Sequence, residues 1–197
     1  MPTDRKDLAT RLALAKPSDT ARGLTFNALF GTIEQHLGKK AAVALDPERS
    51  GHRTEFFSFP VADFLRISFD AADALEPVLG SVEKVFRAFG HRTTSNVLGS
   101  AMGATMIKLA GKDRLRSLLS QAPAGYKTMV SYGVRTIAWP SGTHAVFTFE
   151  GDFLVPAYHC GIFEAAIDAV GARKVRVEGR QTGPLSAVFD VEWSPAP

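Results

Sequence analysis

The hydrophobic pattern of the chain changes period once, near residue 132, and that change limits the possible folds more than any other feature. Before it, apolar residues recur every three or four positions, the spacing of one helix face. In "PVADFLRISFDAADALEP", Val61, Phe64, Leu65, Ser68, Phe69 and Ala72 line a single stripe of about 100°. After it, "VRTIAWPSGTHAVFTFEGDF" alternates every second residue around Pro-Ser-Gly-Thr, the pattern of two strands and a turn. "PAYHCGIFEAAIDAVG" returns to helical spacing and stops at Gly171. "RKVRVEG" and "LSAVFDVEW" then form a second hairpin across "RQTGP". Helices followed by hairpin strands define an α+β fold: an N-terminal helical layer packed on a four-stranded antiparallel sheet of ββαββ order. Residues 1–197 make one domain, with a first helix within 1–17, a helical part over 18–131 and the ββαββ part over 132–194.

Within the helical part, Leu8, Leu12 and Ala15 mark a helix ended by Pro17, and Ser18 or Asp19 is placed to cap the next. That helix carries Leu29, Ile33 and Leu37 and stops at Gly38. The polar cluster in 39–59 reads as a loop. A long helix is expected over 81–110, its stripe beginning with Val82, Val85, Phe86 and Phe89. The stripe continues through Val97, Leu98, Ala101, Met102, Thr105, Met106 and Leu109. Gly99 and Gly103 would leave a smooth patch for another backbone, and one or two shorter helices fall around Pro123.

Charge is unevenly spread. Residues 41–83 carry a net −5 and residues 84–149 a net +8. The plain reading is two helical regions that attract each other, within one chain or across a dimer. No Arg/Lys/aromatic interleaving accompanies the basic segment, so nucleic acid is not the expected partner. The single cysteine allows no internal disulfide and no Cys-rich zinc site. No apolar run reaches the roughly 18 residues of a membrane span, and the N-terminus lacks the apolar core of a signal peptide. The expected location is the cytoplasm.

"AYHCGIFEAAIDAVGARKVRVE" followed by "GPLSAVFDVEW" resembles the closing module of three related groups. These are the vinyl-reductase-type ligand domain, the heme-NO-binding domain and the small TRAPP transport-particle subunits. "DLATRLALAKPSDTARGLTFN", "FSFPVADFLR" and "YHCGIFEAAIDAVG" resemble, over nearly the whole chain, a paralogous family of unknown function expanded in myxobacteria. The resemblance implies helices packed on a four-stranded antiparallel sheet; it implies no activity. Heme-binding relatives carry a proximal histidine and a Tyr-x-Ser-x-Arg motif. Here "SYGVRT" sets Tyr132 and Arg135 three apart, so the motif is broken, and His91 is the histidine of the long helix left to serve as an axial ligand.

Tempting chemistry sits at His159–Cys160. On a helix whose stripe is Phe163, Ala166, Ile167 and Val170, both fall on the apolar face, and adjacent residues diverge by about 100°. They therefore do not form a nucleophile–base contact, and packing or pocket lining is the expected role. The other histidines show no metal-ligand spacing. The residues expected to line any pocket are Phe64, Met102, Met106, Trp139, Phe147, His159, Cys160 and Phe163. Arg135 and Trp139 share one strand face, and Asp63, Asp70 and Asp73 point to solvent. The expected function is a non-enzymatic signalling or regulatory domain that binds a small apolar or amphipathic ligand between helices and sheet. The alternative is a homodimeric interaction scaffold resembling a TRAPP subunit; a heme-based gas sensor ranks below both. No catalytic residue, metal or cofactor is assigned.

Overall fold

The computed structural model describes residues 3–46, 52–109, 114–172 and 175–194; the side chains of Met102 and Met106 also lie outside that description. Helix α1 (Arg5–Leu14) is capped by Asp4, whose carboxylate accepts from the amides of Lys6 and Asp7. A short strand, β1 (Thr20–Arg22), follows and pairs antiparallel with β2 (Ser58–Pro60). The second helix, α2 (Gly23–Leu37), therefore starts at Gly23, and neither Ser18 nor Asp19 caps it; Asp19 instead accepts from the Lys16 amide in the preceding turn. Leu29 and Ile33 are buried, and the helix stops at Gly38 with φ +85°. Part of the expected 39–59 loop is a helix, α3 (Lys39–Leu45), in the alanine-rich "KKAAVAL".

The clearest predicted helix is α4 (Val61–Leu79). All six residues of its stripe are buried, and Gly80 ends it in the left-handed conformation. The long helix expected over 81–110 is two helices, α5 (Val82–Gly99) and α6 (Ala101–Leu109). Ser100 breaks it: its ψ of 163° leaves the helical region, and its hydroxyl accepts from the Gly103 amide to cap α6. Val85, Phe86 and Phe89 are buried as expected, but Ala101, Thr105 and Leu109 are exposed. One helix, α7 (Arg114–Met129), runs through Pro123.

Strands β3 (Val134–Ser141), β4 (His144–Glu150), β5 (Arg176–Gly183) and β6 (Ser186–Glu192) form one antiparallel sheet ordered β3-β4-β6-β5, with helix α8 (Pro156–Val170) between the hairpins. Alternation puts Ala145, Phe147 and Phe149 of β4 and Ala187, Phe189 and Val191 of β6 on one buried face, with Phe147 opposite Phe189. Phe163, Cys160 and Ile167 of α8 pack on that face together with Leu115, Leu119 and Tyr126 of α7. Tyr158 turns the other way, into the helical core beside Phe64. α8 thus lies between two apolar clusters and joins the halves.

A close backbone contact joins α5 and α8. A Cβ on Gly90 would stand 1.8 Å from the Tyr158 carbonyl oxygen, and one on Gly161 would stand 2.0 Å from that of Arg87. These two glycines, not Gly99 and Gly103, provide the smooth patch. Nothing lies within 4 Å of a Cβ on Gly99, and one on Gly103 meets the turn at residues 97–98. The charge segregation resolves partly within the chain: Arg5 of α1 pairs with Asp70 and Asp73 of the acidic α4. Arg87 of the basic segment reaches Glu83 and Glu164.

Candidate functional site

Four polar side chains from four different elements meet where the helical layer joins the sheet. Tyr126 comes from the last turns of α7, Arg135 from β3, Asp152 from the turn after β4 and His159 from the first turn of α8. Tyr126, Arg135 and His159 stand on the inward faces of their elements, and Asp152 is held inward by its amide on the Leu185 carbonyl and by the Leu154 amide on its carboxylate. Tyr126 Oη lies 2.8 Å from His159 Nδ1, and His159 Nε2 is 3.3 Å from Asp152 Oδ1, off the line of a hydrogen bond. Arg135 donates to Asp152 Oδ2 from Nε at 3.0 Å and Nη2 at 2.6 Å, and to the Tyr132 carbonyl at 2.8 Å. The Leu154 amide donates to Asp152 Oδ1 at 2.9 Å. The guanidinium also lies 4.6 Å from the Tyr126 ring centroid and 5.4 Å from that of Phe149.

Burial and charge shape the protonation of this cluster. Burial alone would raise the Asp152 carboxyl; His159 beside it, Arg135 and the Leu154 amide outweigh that and hold it well below the carboxylate range. Burial, reinforced by the charge of Asp152, pushes the Tyr126 and Tyr132 phenols well above their ordinary value, so both remain protonated. The buried Asp152 carboxylate is paired with the buried Arg135 guanidinium.

A second buried arginine adjoins the cluster. Arg11 of α1 is 1% exposed. It donates to the carbonyls of Phe153 at 3.1 Å and Leu154 at 3.4 Å, to Gln181 Oε1 at 3.2 Å and to Asp7 of its own helix at 2.8 Å. A void of about 10 Å³, the size of one water, touches Arg11, Asp152, His159, Gln181 and Leu185.

The residues expected to line a pocket divide as follows. Phe147, Cys160 and Phe163 pack on one another's cluster at the sheet, with Phe147 and Phe163 rings 4.5 Å apart. His159 joins them edge-on to Phe149 at 4.8 Å and is the member of the set that touches the void. Phe64 belongs to the helical core, against Phe26 and Tyr158. Trp139 is partly buried near Trp193, with the Arg116 guanidinium 4.2 Å over its ring. The side chains of Met102 and Met106 fall outside the described residues. Burial pushes the Cys160 thiol up to about 11, which removes it as a nucleophile at neutral pH. Arg135 is half of a buried ion pair, and Asp70 and Asp73 lie at the surface as expected, where Arg5 pairs with both. Reasoning from sequence missed Tyr126, Asp152 and Arg11. Asp152 had one signal, an acid placed between the apolar runs "VFTFEG" and "FLV".

The residues present do not fit a heme. Both ring nitrogens of His91 are engaged, Nε2 with Asp168 at 2.9 Å and Nδ1 with Ser95 at 3.3 Å, and the ring lies at the surface. His159 is enclosed by Tyr126, Phe149, Phe189 and Asp152. The backbone contact at Gly90 and Gly161 leaves no slot between α5 and α8, and the void described at the seam, about 10 Å³, is far below the several hundred cubic ångströms of an ordinary ligand pocket. No group of three or more His, Cys, Asp or Glu among the described residues is arranged to hold a metal ion, and no helix among them is long and apolar enough to cross a membrane.

The family model described as "Protein of unknown function (DUF2378)" matches residues 14–194. No curated protein matches the sequence. Among solved structures the fold is similar to that of H-NOX domains. The Fe(II) unliganded H-NOX protein from K. algicida aligns at TM-score 0.67 and 11% identity, over 88% of this chain and 96% of that one. The H-NOX protein from S. oneidensis in the Fe(II)NO ligation state aligns at TM-score 0.64 and 14% identity, over 88% and 99%. An oxygen-binding H-NOX domain related to soluble guanylate cyclases, in its oxygen complex, aligns at TM-score 0.64 and 12% identity, over 88% and 96%. At such identities the likeness is one of fold.

Proposed function

We propose, for a chain that belongs to the DUF2378 family of unknown function, a non-enzymatic regulatory role exercised through protein contacts. The observation that carries this reading is the closed seam: Tyr126, His159, Asp152 and Arg135 link α7, α8 and the sheet where an internal ligand would have to lie. A network buried and paired in this way fixes the two layers relative to each other; it offers no accessible nucleophile, acid or base. Such a domain signals by what binds its surface or by how its layers shift. We take its setting to be the cytoplasm, in keeping with a lone buried thiol, and its first candidate partner to be a second copy of the chain.

A second reading has a specific observation in its favour. The similar structures include Fe(II) H-NOX proteins and an oxygen-binding H-NOX domain in its oxygen complex, so the fold is one that holds small ligands elsewhere. A small apolar or amphipathic ligand in this chain would require the seam to open and the Asp152–Arg135 pair to be displaced. Native mass spectrometry of the purified protein decides between the readings. The contact reading expects the mass of the polypeptide, as monomer or dimer, with nothing added. An extra mass that leaves on denaturation would overturn it.

A further inference from the structure

The contacts of Arg11 are those of a ligand in a site. Apart from Asp7 of its own helix, its acceptors are set by the C-terminal half of the chain without help from α1. The Asp152 amide donates to the Leu185 carbonyl and the Leu154 amide to Asp152 Oδ1, which fixes the loop that presents the Phe153 and Leu154 carbonyls. Gln181 donates its own amide to the Pro184 carbonyl at 3.2 Å, which leaves Oε1 turned toward Arg11. Three oxygens are therefore preset around a planar group of N–H donors, the arrangement that suits a guanidinium better than an ammonium.

The helix that brings Arg11 there is lightly held. Leu8 and Arg11 are its buried residues, and Leu14 is 46% exposed. The pairs from Arg5 to Asp70 and Asp73 are of the kind that contribute little and weaken with salt, and the remaining ties are the Thr3 amide on Asp73 and the partly buried Leu12 and Ala15. The family match begins at residue 14, so α1 lies almost wholly outside it, whereas the socket lies inside it. We propose that the carbonyls of Phe153 and Leu154 and the amide oxygen of Gln181 form a guanidinium-binding socket. Arg11 fills it in cis, and an arginine of a protein partner enters it when α1 lifts away. The identity of the incoming group as a partner's arginine rests on the contact reading; the socket itself does not.

The test uses the full chain with Arg11→Ala and, as a second variant of closer volume, Arg11→Met. Each is melted with methylguanidinium up to 20 mM, and with methylammonium as an equal-charge control. A low-millimolar Kd raises Tm at the top concentration by roughly 3–6 °C. That saturable rise is expected for both variants with methylguanidinium only, and it should vanish when Gln181→Met is added. Equal response to the two cations, rescue that survives Gln181→Met, or loss of folding that methylguanidinium does not restore would each overturn the socket. In the unmodified chain, α1 amides should exchange at least tenfold faster than those of α8, and faster still at high salt. Exchange as slow as that of α8 would show that the plug never leaves and would overturn the takeover. The native mass reports on the contact reading and the rescue on the socket, so the two can fail separately.

Discussion

Replacing Asp152 with alanine tests whether the buried ion pair ties the halves together. The Asp152 side chain is 3% exposed and that of Arg135 is 2%. The substitution leaves a guanidinium buried without its counterion and orphans the Leu154 amide. Breaking a buried pair from one side costs about 3–5 kcal/mol. For a chain of this length that lowers Tm by roughly 6–20 °C. The pH dependence follows from the sign of the shift. The folded carboxyl titrates below its unfolded value of about 3.9, so its contribution is complete above that value and is lost as the pH falls through the folded one. In urea unfolding followed by circular dichroism, the gap between the unmodified chain and Asp152→Ala should be flat from about pH 8 to pH 5 and narrow below about pH 4. A double variant, Arg135→Met with Asp152→Leu, should recover much of the loss, because no lone charge remains. A gap under about 1 kcal/mol at neutral pH, the range of a surface pair, or a gap indifferent to acid, would refute the reasoning.

Tyr126→Phe removes the hydroxyl that is hydrogen-bonded to His159 Nδ1 and should cost about 1–3 kcal/mol in chemical denaturation with the secondary structure intact. Gly90→Ala and Gly161→Ala must each push α5 and α8 apart, at a cost of about 1–3 kcal/mol or more, whereas Gly99→Ala, in open space, should be neutral; equal melting of all three would show that the helix contact is not as tight as described. Cys160 is buried with its thiol pushed up to about 11, so a thiol reagent should label it only on unfolding, at a rate independent of reagent concentration. Rapid stoichiometric labelling of the native protein would contradict that.

The helical part and the two hairpins of the sheet part were legible because they follow from periodicity. A stripe such as Val61–Ala72 admits one buried face, and the alternation in β4 and β6 fixes which side meets α8. The break at Ser100 was not legible: the apolar stripe runs on through Leu109, and local capping by the serine hydroxyl overrides it. The helix α3 was hidden by its seven-residue length among turn residues. The positions of His159 and Cys160 on the apolar face followed from the 100° step alone. Their partners did not, because Tyr126, Arg135 and Asp152 come from elements whose adjacency only the assembled fold supplies. Arg11 was hidden for the same reason: on α1 it reads as one more charge paired with Asp7, and its carbonyl acceptors lie more than 140 residues away.

This chain has a fold similar to that of H-NOX domains, and among the described residues its own side chains fill the seam between helices and sheet. A hemin titration followed through the Soret region tests it most directly. The filled seam should give only a linear, non-saturating signal, unchanged in Tyr126→Phe and His91→Ala. A saturable band at one hemin per chain that His91→Ala or His159→Ala abolishes would show that the seam opens to a porphyrin, and would contradict the account.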